Sequence, residues 1–221
     1  CIRDRSNPTG AVYTREELKA LAEVFARHPQ VYIISDEIYE HINFTPEGHT
    51  SIAEFPEVYE QTIVVNGLAK AYAMTGWRIG FIGAAQWIAK ACEDLQGQVT
   101  SGTNSVAQQA AVAALNADPE KMVKPMVEVF ARRRELVLKG LAEIPGFKTD
   151  TPYGAFYAFP DISYYKGKTL GGHKINTSDD LCLYLLSEAH VGLVAGSSFG
   201  NDDCIRLSYA ASEEVLTEAL R

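Results

Sequence analysis

Between residues 62 and 83 the chain reads TIVVNGLAKAYAMTGWRIGFIG. This stretch contains two apolar runs, at 62–66 and 78–83, and a similar run precedes it at 31–35. None of the three alternates polar with apolar residues, which is typical of strands buried on both faces of a parallel sheet. A helix is expected before the first run, starting at a capping box from Thr14 to Glu17, and another between the first two runs. The pattern predicts a parallel sheet of the α/β class.

A second, smaller unit is predicted after residue 117. Asp118 and Pro119 form a helix start, and a helical stripe from Met122 to Ile144 follows, in which Pro125 marks a kink or a later start. Three strand-like runs at 154–159, 191–194 and 204–209 are interleaved with helices that begin near residues 178 and 212. Residues 164–177 are rich in Gly and Lys and predict an exposed loop. We therefore expect a large domain over 1–117 and a small α+β domain over 118–221.

Composition excludes several classes of protein. The chain has 221 residues, of which 47% are hydrophobic and 22% charged, with a net charge of −8. This is ordinary globular composition, and the negative charge argues against nucleic-acid or anionic-membrane partners. No apolar run approaches the ~18 residues that a membrane span needs. The four cysteines lie far apart and no HxxxH pair occurs, so the sequence supports neither a disulfide framework nor a metal site, and a reducing cytoplasm is the simpler reading.

Two candidate functional residues follow predicted strands. Asp36 comes directly after the run at 31–35, and Lys70 follows the run at 62–66. Ligands of open α/β sheets bind at the carboxyl ends of the strands, and a partly desolvated amine is a better nucleophile. The alternatives are a helix cap for Asp36 and a lysine that only extends its head group to solvent for Lys70. Glu37 is expected on the solvated side.

Three further candidates carry amide or guanidinium groups. Asn7 lies in Asn-Pro-Thr-Gly, which taken alone is a turn. Arg78 follows Thr-Gly-Trp, and Arg206 lies inside the apolar run at 204–209. Arginine recognises phosphate and carboxylate through paired N–H groups, but a charge between apolar residues also occurs on the wet face of a strand.

The order of these motifs closely resembles that of the fold-type I, pyridoxal-phosphate-dependent aminotransferases of class I/II. Residues 66–81 resemble the bacterial aspartate aminotransferase subgroup, and residues 152–157 and 196–200 resemble the small-domain signatures of the same group. The resemblance covers the chain from residue 6 onward. It implies that the chain is the C-terminal part of the cofactor-binding large domain, with a mostly parallel sheet in a three-layer α/β/α arrangement, followed by the small α+β domain.

The resemblance also implies roles for six residues. Lys70 would carry pyridoxal 5'-phosphate covalently and later move the substrate proton. Asp36 would pair with the pyridine nitrogen, and Tyr39 and Asn7 would hydrogen-bond the 3′ oxygen of the cofactor. Arg78 would bind the phosphate, and Arg206, together with Asn7, would bind the substrate.

The implied reaction moves an amino group between an α-amino acid, by subgroup aspartate, and a 2-oxo acid, by subgroup 2-oxoglutarate. The expected setting is amino acid metabolism in the cytoplasm. Family homodimers have the active site at the subunit interface, and residues 100–104 resemble the loop that reaches the neighbouring site. Prephenate, aromatic, alanine and kynurenine transaminases and C–S lyases, which share this fold, remain alternatives. A non-catalytic fragment with a role in assembly is a further alternative. A generic nucleotide-binding domain is disfavoured, because no GxGxxG follows a strand.

Three departures from the family pattern are visible. Ala69 stands where the subgroup has serine, and Ala195 stands where it has proline. Loss of the serine hydroxyl should weaken cofactor binding, and the alanine at 195 should only soften its loop. Family members are also much longer, the N-terminal part being absent here, and residues 1–5 do not have the pattern of the apolar strand expected before Asn7. We expect the chain alone to be poorly stable, because missing strands would leave sheet edges and apolar surface exposed.

Overall fold

A computed structural model describes residues 7–221 and the backbone of residues 2–3. The described chain forms two compact units, one made of residues 2–3 and 12–127 and the other of residues 7–11 and 128–221. The expected domain boundary between residues 117 and 118 stays a prediction, because compact units need not fold independently.

The first unit contains a four-stranded sheet in the order β1–β2–β3–β4. Its strands are β1 (Ile2–Arg3), β2 (Ile33–Asp36), β3 (Thr62–Gly67) and β4 (Gly80–Gly83). β1 and β2 are parallel, as are β2 and β3, and Asp36 lies opposite Val65 in the register. The predicted α/β class with a mostly parallel sheet is therefore confirmed. The carboxyl ends of β2 and β3 lie at the same edge.

Three expectations for this unit were wrong. β4 is antiparallel to β3 and all four of its residues are exposed, because an apolar run reports neither strand direction nor position in the sheet. No α-helix occupies residues 37–61, all of which are described; two 3₁₀ turns, Ile52–Glu54 and Pro56–Gln61, make the connection instead. Proline at residue 56 favours such a short turn. The segment before Asn7 does contain a strand, β1, although residues 1 and 4–6 lie outside the described residues.

Helix α1 (Arg15–Phe25) packs against one face of the sheet. The predicted capping box is present, because the Thr14 hydroxyl accepts from the Glu17 amide and the Glu17 carboxylate accepts from the Thr14 amide. The buried residues of this layer come from α1, β2, the two 3₁₀ turns and the residue between those turns, and they are Leu18, Ala22, Ile33, Ile52, Phe55 and Val58. Fully burying one such side chain stabilises the fold by about 1.5–3 kcal/mol, so this cluster anchors β2.

The remaining helices of the first unit are α2 (Gln86–Val99), α3 (Ser105–Leu115) and α4 (Pro119–Met122). The Asn104 side chain caps α3, and Asp118 caps α4 as predicted. Helix α5 (Lys124–Glu143) begins next to Pro125. Of the two outcomes expected at this proline, a later helix start is the observed one, since the first turn of a helix does not need the missing amide.

The second unit has helices α6 (Ser178–Ala189) and α7 (Glu213–Ala219), which begin where the sequence predicted. Its strands are β5 (Tyr157–Ala158), β6 (Thr169–Leu170), β7 (His173–Lys174), β8 (Val194–Ala195) and β9 (Ile205–Ser208). β5, β9 and β8 form an antiparallel sheet in that order. The expected loop at 164–177 was wrong in part, because β6 and β7 form a hairpin whose turn, Gly171-Gly172, has positive φ at both residues.

One core cluster of the second unit lies between α6 and β9. Its buried members are Ile162, Ile175, Leu181 and Ile205. Of the helices in the described part of the chain, none is both long and apolar enough to cross a bilayer.

Candidate active site

The parallel ends of β2 and β3 position three of the six candidate residues, all in the first unit. Asp36 is the last residue of β2, and its Oδ1 accepts from the Ile38 amide at 3.5 Å. Tyr39 follows on a tight turn and is only 6% exposed. The Lys70 amine lies 5.8 Å from the centroid of the Tyr39 ring, which is within the range of a cation–π contact. An amine, a phenol and a nearby carboxylate are thus placed at the edge where α/β proteins bind ligands.

The turn after β3 holds Lys70 in place. Leu68 and Ala71, on either side of the lysine, are 2% and 3% exposed. The Ala73 amide donates to the Lys70 carbonyl at 3.2 Å, and Ala73 has a φ of 53°. The two buried neighbours fix the backbone on both sides, and the lysine side chain itself is half-buried.

Arg78 is connected to the same turn. It closes the 3₁₀ turn Thr75–Trp77 with a left-handed φ of 54°, and its Nη1 donates to the Thr75 carbonyl at 3.2 Å. The Thr75 hydroxyl donates to the Ala69 carbonyl at 2.9 Å. Arg78 is exposed and lines a shallow surface depression together with Asn104 and Trp77. The guanidinium has five N–H donors, of which Thr75 takes one, so the group can bind an anion while its turn stays fixed.

The second unit brings Asn7 and Arg206 together. Nη1 of Arg206 donates to Asn7 Oδ1 at 2.7 Å. The guanidinium carbon lies 4.6 Å from the ring centroid of Tyr157 and 5.0 Å from that of Phe199, so two aromatic rings hold the group. Its Nε is buried and has no hydrogen-bond partner among the described residues. A half-buried guanidinium held by rings and an amide is oriented to bind a carboxylate, unlike an arginine on the wet face of a strand.

Gly10 explains how the segment carrying Asn7 is held. Its φ is 69°, and a Cβ at this position would lie 2.4 Å from the Cβ of Pro152. The Gly10 carbonyl accepts from the amides of Tyr153 and Gly154, both at 2.9 Å. Only glycine permits this close approach, so the Asn-Pro-Thr-Gly sequence is more than a surface turn.

Glu37 contradicts its predicted place on the solvated side. It is 3% exposed, because the two-residue period of β2 puts it on the same buried face as Ile33 and Ser35. Its Oε1 accepts from the hydroxyls of Ser35 at 2.9 Å and Ser51 at 2.6 Å, and His49 Nε2 lies 2.8 Å from its Oε2. The available signal was the register itself, since Ile33, Ser35 and Glu37 alternate with the residues that face the other way.

Glu40 lies beside this network. A hydrogen bond from the His41 ring, at 3.1 Å, holds the pKa of the Glu40 carboxyl below its usual range, although partial burial acts in the opposite direction. One potential metal-ligand atom from each of Glu37, Glu40 and His49, a carboxylate oxygen or a ring nitrogen, lies within 4.8 Å of the other two. A metal ion could bridge atoms at this spacing. The Glu37 oxygens already face three hydrogen-bonding groups, so the arrangement is that of a hydrogen-bonded network.

Comparison with known proteins identifies the family. The model described as aminotransferase class I and II matches residues 2–221, and the chain belongs to this family. Among its relatives is the bifunctional aspartate aminotransferase and glutamate/aspartate-prephenate aminotransferase of Petunia hybrida, which is 49% identical over 97% of this chain and 46% of its own length. An aspartate aminotransferase of Rhizobium meliloti is 45% identical over 99% of this chain and 54% of its own length.

Solved structures of the family superpose closely on the chain. The crystal structure of an aspartate aminotransferase from Rhizobium meliloti gives a TM-score of 0.94 at 43% identity, covering 99% of this chain and 55% of that one. An aromatic aminotransferase from Pyrococcus horikoshii gives 0.90 at 39% identity, covering 99% and 57%. The chain thus spans about half the length of the relatives it matches.

Proposed function

We propose that this chain carries the substrate and cofactor chemistry of a pyridoxal-phosphate-dependent aminotransferase. The proposed reaction moves an amino group between aspartate and 2-oxoglutarate. The observation that carries the proposal is the placement of Lys70 against Tyr39, with Asp36 at the adjoining strand end, in a chain that matches the family over residues 2–221. The substrate pair is supported by the names of the relatives, several of which are aspartate aminotransferases.

The donor set fits pyridoxal 5'-phosphate. Lys70 supplies the amine that would hold the cofactor covalently, and Asp36 supplies a half-buried carboxylate for the pyridine nitrogen. Tyr39 and Asn7 would hydrogen-bond the 3′ oxygen, and Arg78 would bind the phosphate. When bound, the cofactor supplies an electron sink for the electrons released at the substrate Cα.

Each residue would contribute a separate physical effect. Asp36 would favour a protonated pyridine nitrogen by placing a negative charge beside it. The amine of Lys70 would take the proton from the substrate Cα as a general base. Arg206 would bind the substrate α-carboxylate with Asn7 beside it, and this clamp would orient the Cα–H bond for cleavage.

Ala69 bears on cofactor affinity. It precedes Lys70, and its carbonyl accepts from the Thr75 hydroxyl, but its side chain offers no hydrogen bond to a phosphate. A hydrogen bond to a charged group contributes ~1.5–3 kcal/mol, so we expect weaker cofactor binding than in relatives with serine here.

The setting of the proposed reaction is a cytoplasmic homodimer with the active site at the subunit interface. Residues 100–104, between α2 and α3, are exposed and would form the loop that reaches the neighbouring site. These statements are supported by the family resemblance alone.

The test is an absorption spectrum of the purified chain after addition of pyridoxal phosphate. We expect a band from lysine-bound cofactor in the parent and none in Lys70→Ala, because alanine has no amine to carry it. Lys90→Ala is the matched control, since Lys90 lies on exposed α2 and pairs with neighbouring acids at 3.2 and 2.8 Å. An unchanged band in Lys70→Ala, or no band in the parent, would contradict the proposal for this chain.

The substrate is tested on the same sample. Aspartate should bleach the band of the loaded parent, and 2-oxoglutarate should restore it. Prephenate as acceptor tests the prephenate transaminase, aromatic amino acids test the aromatic transaminase, and cysteine conjugates test the C–S lyase. The names of the Petunia and Pyrococcus proteins include the first two activities. A response to an aromatic amino acid or a cysteine conjugate without a response to aspartate would replace the proposed donor. Restoration of the aspartate-bleached band by prephenate but not by 2-oxoglutarate would replace the proposed acceptor.

A further inference from the structure

Glu37 is a buried carboxylate for which the proposed chemistry has no use. It is 3% exposed, and its three hydrogen-bonding neighbours are two hydroxyls and an imidazole. Burying a carboxylate costs free energy, and an apolar side chain of similar volume would fill such a position at lower desolvation cost. The position therefore requires an explanation beyond packing.

The main chain around Glu37 carries two of the proposed cofactor residues. Its amide donates to the Val65 carbonyl at 2.8 Å, and its carbonyl accepts from the Glu40 amide at 2.9 Å. Asp36 precedes it, and Tyr39 lies in the turn that the Glu40 amide closes. Successive strand residues point to opposite faces, so Glu37 is fixed on the buried face while Asp36 points the other way.

The partners of Glu37 come from a separate segment. His49 and Ser51 lie just before the 3₁₀ turn Ile52–Glu54, and the Ser51 hydroxyl also accepts from the Ala53 amide at 3.2 Å. The capping box between Ser51 and Glu54 holds that hydroxyl in place. The Glu37 carboxylate therefore links the carboxyl end of β2 by hydrogen bonds to residues 12 and 14 positions further along the chain.

We propose that Glu37, held by His49 and Ser51, is a positioning residue that fixes the Asp36 carboxylate and the Tyr39 ring for the cofactor. The cofactor part of this inference rests on the proposed function. The mechanical part does not, since the hydrogen bonds of Glu37 join residues of this chain only. A divalent cation shared by Glu37, Glu40 and His49 is the competing account.

The experiment compares Glu37→Gln with the parent and with Glu47→Gln. The first substitution keeps the volume, removes the charge and turns one acceptor into a donor. Glu47 lies exposed in the same connection and is the matched control. Ser51→Ala removes the hydroxyl that donates to Glu37 Oε1. This variant replaces Glu37→Gln in the comparison if Glu37→Gln does not fold.

Three quantities are measured. The first is hydrogen exchange of the Glu37 and Ile38 amides in the cofactor-free chain, where the Ile38 amide reports on Asp36 Oδ1. The second is the dissociation constant for pyridoxal phosphate, and the third is the pH midpoint of the bound-cofactor band. We expect faster exchange, affinity weakened by roughly 10–100-fold, as for other partners that orient ligand-binding side chains, and a displaced midpoint. Glu47→Gln should change none of them.

The outcomes are distinguishable. A lower unfolding temperature with unchanged amide exchange, affinity and pH midpoint would mean that Glu37 is only structural, and would overturn the inference. If the parent shows no cofactor band, the proposed function fails for this chain, and unchanged amide exchange in Glu37→Gln would then overturn the positioning role separately. If Zn²⁺ or a chelator alters amide exchange in the parent but not in Glu37→Gln, the cluster binds a metal and the inference is wrong.

Discussion

Arg206 shows how a single side chain acquires direction from its surroundings. The rings of Tyr157 and Phe199 and the Asn7 amide oxygen restrict a group that would otherwise sample many rotamers. The phenol of Tyr157 and the ring of Phe199 come from β5 and from the 3₁₀ turn after β8. The orientation of the arginine is therefore a property of the second unit, and it favours planar, paired recognition of a carboxylate.

Replacing Arg206 by lysine tests this orientation. Lys keeps the positive charge but loses the planar fork, so we expect a raised half-saturation concentration for aspartate in the absorbance assay. One charged hydrogen bond contributes ~1.5–3 kcal/mol, which corresponds to a change of about tenfold or more. Arg132→Lys is the control, because Arg132 is exposed. Equal half-saturation for Arg206→Lys and the parent would show that the fork has no role in substrate binding.

At the scale of elements, the Asp202 carboxylate, which lies just before β9, binds the amino end of α6. Asp202 accepts from the Ser178 amide at 2.8 Å, the Ser178 hydroxyl at 2.7 Å and the Lys166 amine at 2.9 Å. The Lys166 hydrogen bond, followed by those from Ser178, lowers the pKa of Asp202 to about 2. The Ser178 hydroxyl in turn accepts from the Ser197 amide, so the network supports the turn that carries Phe199.

This network predicts a pH dependence of stability. A carboxyl whose folded-state pKa is depressed stabilises the fold above its unfolded pKa of about 3.9. The contribution of Asp202 should therefore be complete at neutral pH and fade as the pH falls from about 4 towards 2. Because the side chain is 37% exposed, solvent screening should limit Asp202→Asn to a loss of ~1 kcal/mol.

Urea unfolding at pH 7 and at pH 3 measures this difference. The gap between the parent and Asp202→Asn should be larger at pH 7 than at pH 3. Asp150→Asn, a substitution at an exposed carboxylate, should show a smaller gap at neutral pH. A gap for Asp202→Asn that grows on acidification would have the wrong sign and would refute this account of the network.

At the scale of the whole molecule, apolar surface is the prominent feature. Leu95 and Val99 of α2 and Val106 of α3 are 67%, 72% and 66% exposed. Exposed patches of this kind favour association or loss of stability. We expect the purified chain to sediment with an apparent mass that rises with concentration, and we expect Leu95→Gln with Val99→Gln to reduce that rise.

The control for this prediction is a pair of polar-to-polar changes on the same helix, Gln96→Asn with Gln98→Asn. These substitutions leave the apolar surface unchanged, so they should leave the association unchanged. A chain that stays monomeric at all concentrations and unfolds cooperatively would contradict both this prediction and the expectation of poor stability.

Local chemistry explains the elements that were predicted correctly. The capping box at Thr14 and Glu17, the proline after Asp118 and the helix starts near residues 178 and 212 depend on residues within one turn of each other. The direction of β4 depended instead on its pairing with β3, and the hairpin at Thr169–Lys174 depended on two positive-φ glycines inside a polar stretch. Periodicity does not carry that information.

The sequence by itself determined the α/β class, the helix starts and the order of motifs that implied the family, because these features are written in neighbouring residues. Only the tertiary structure decided that Lys70 meets Tyr39, that Arg206 lies between two rings beside Asn7, and that His49 and Ser51 meet the Glu37 carboxylate. Each of these contacts joins residues far apart in the chain or fixes a side-chain direction. Such contacts follow from strand pairing and core packing within each unit, which no local pattern specifies.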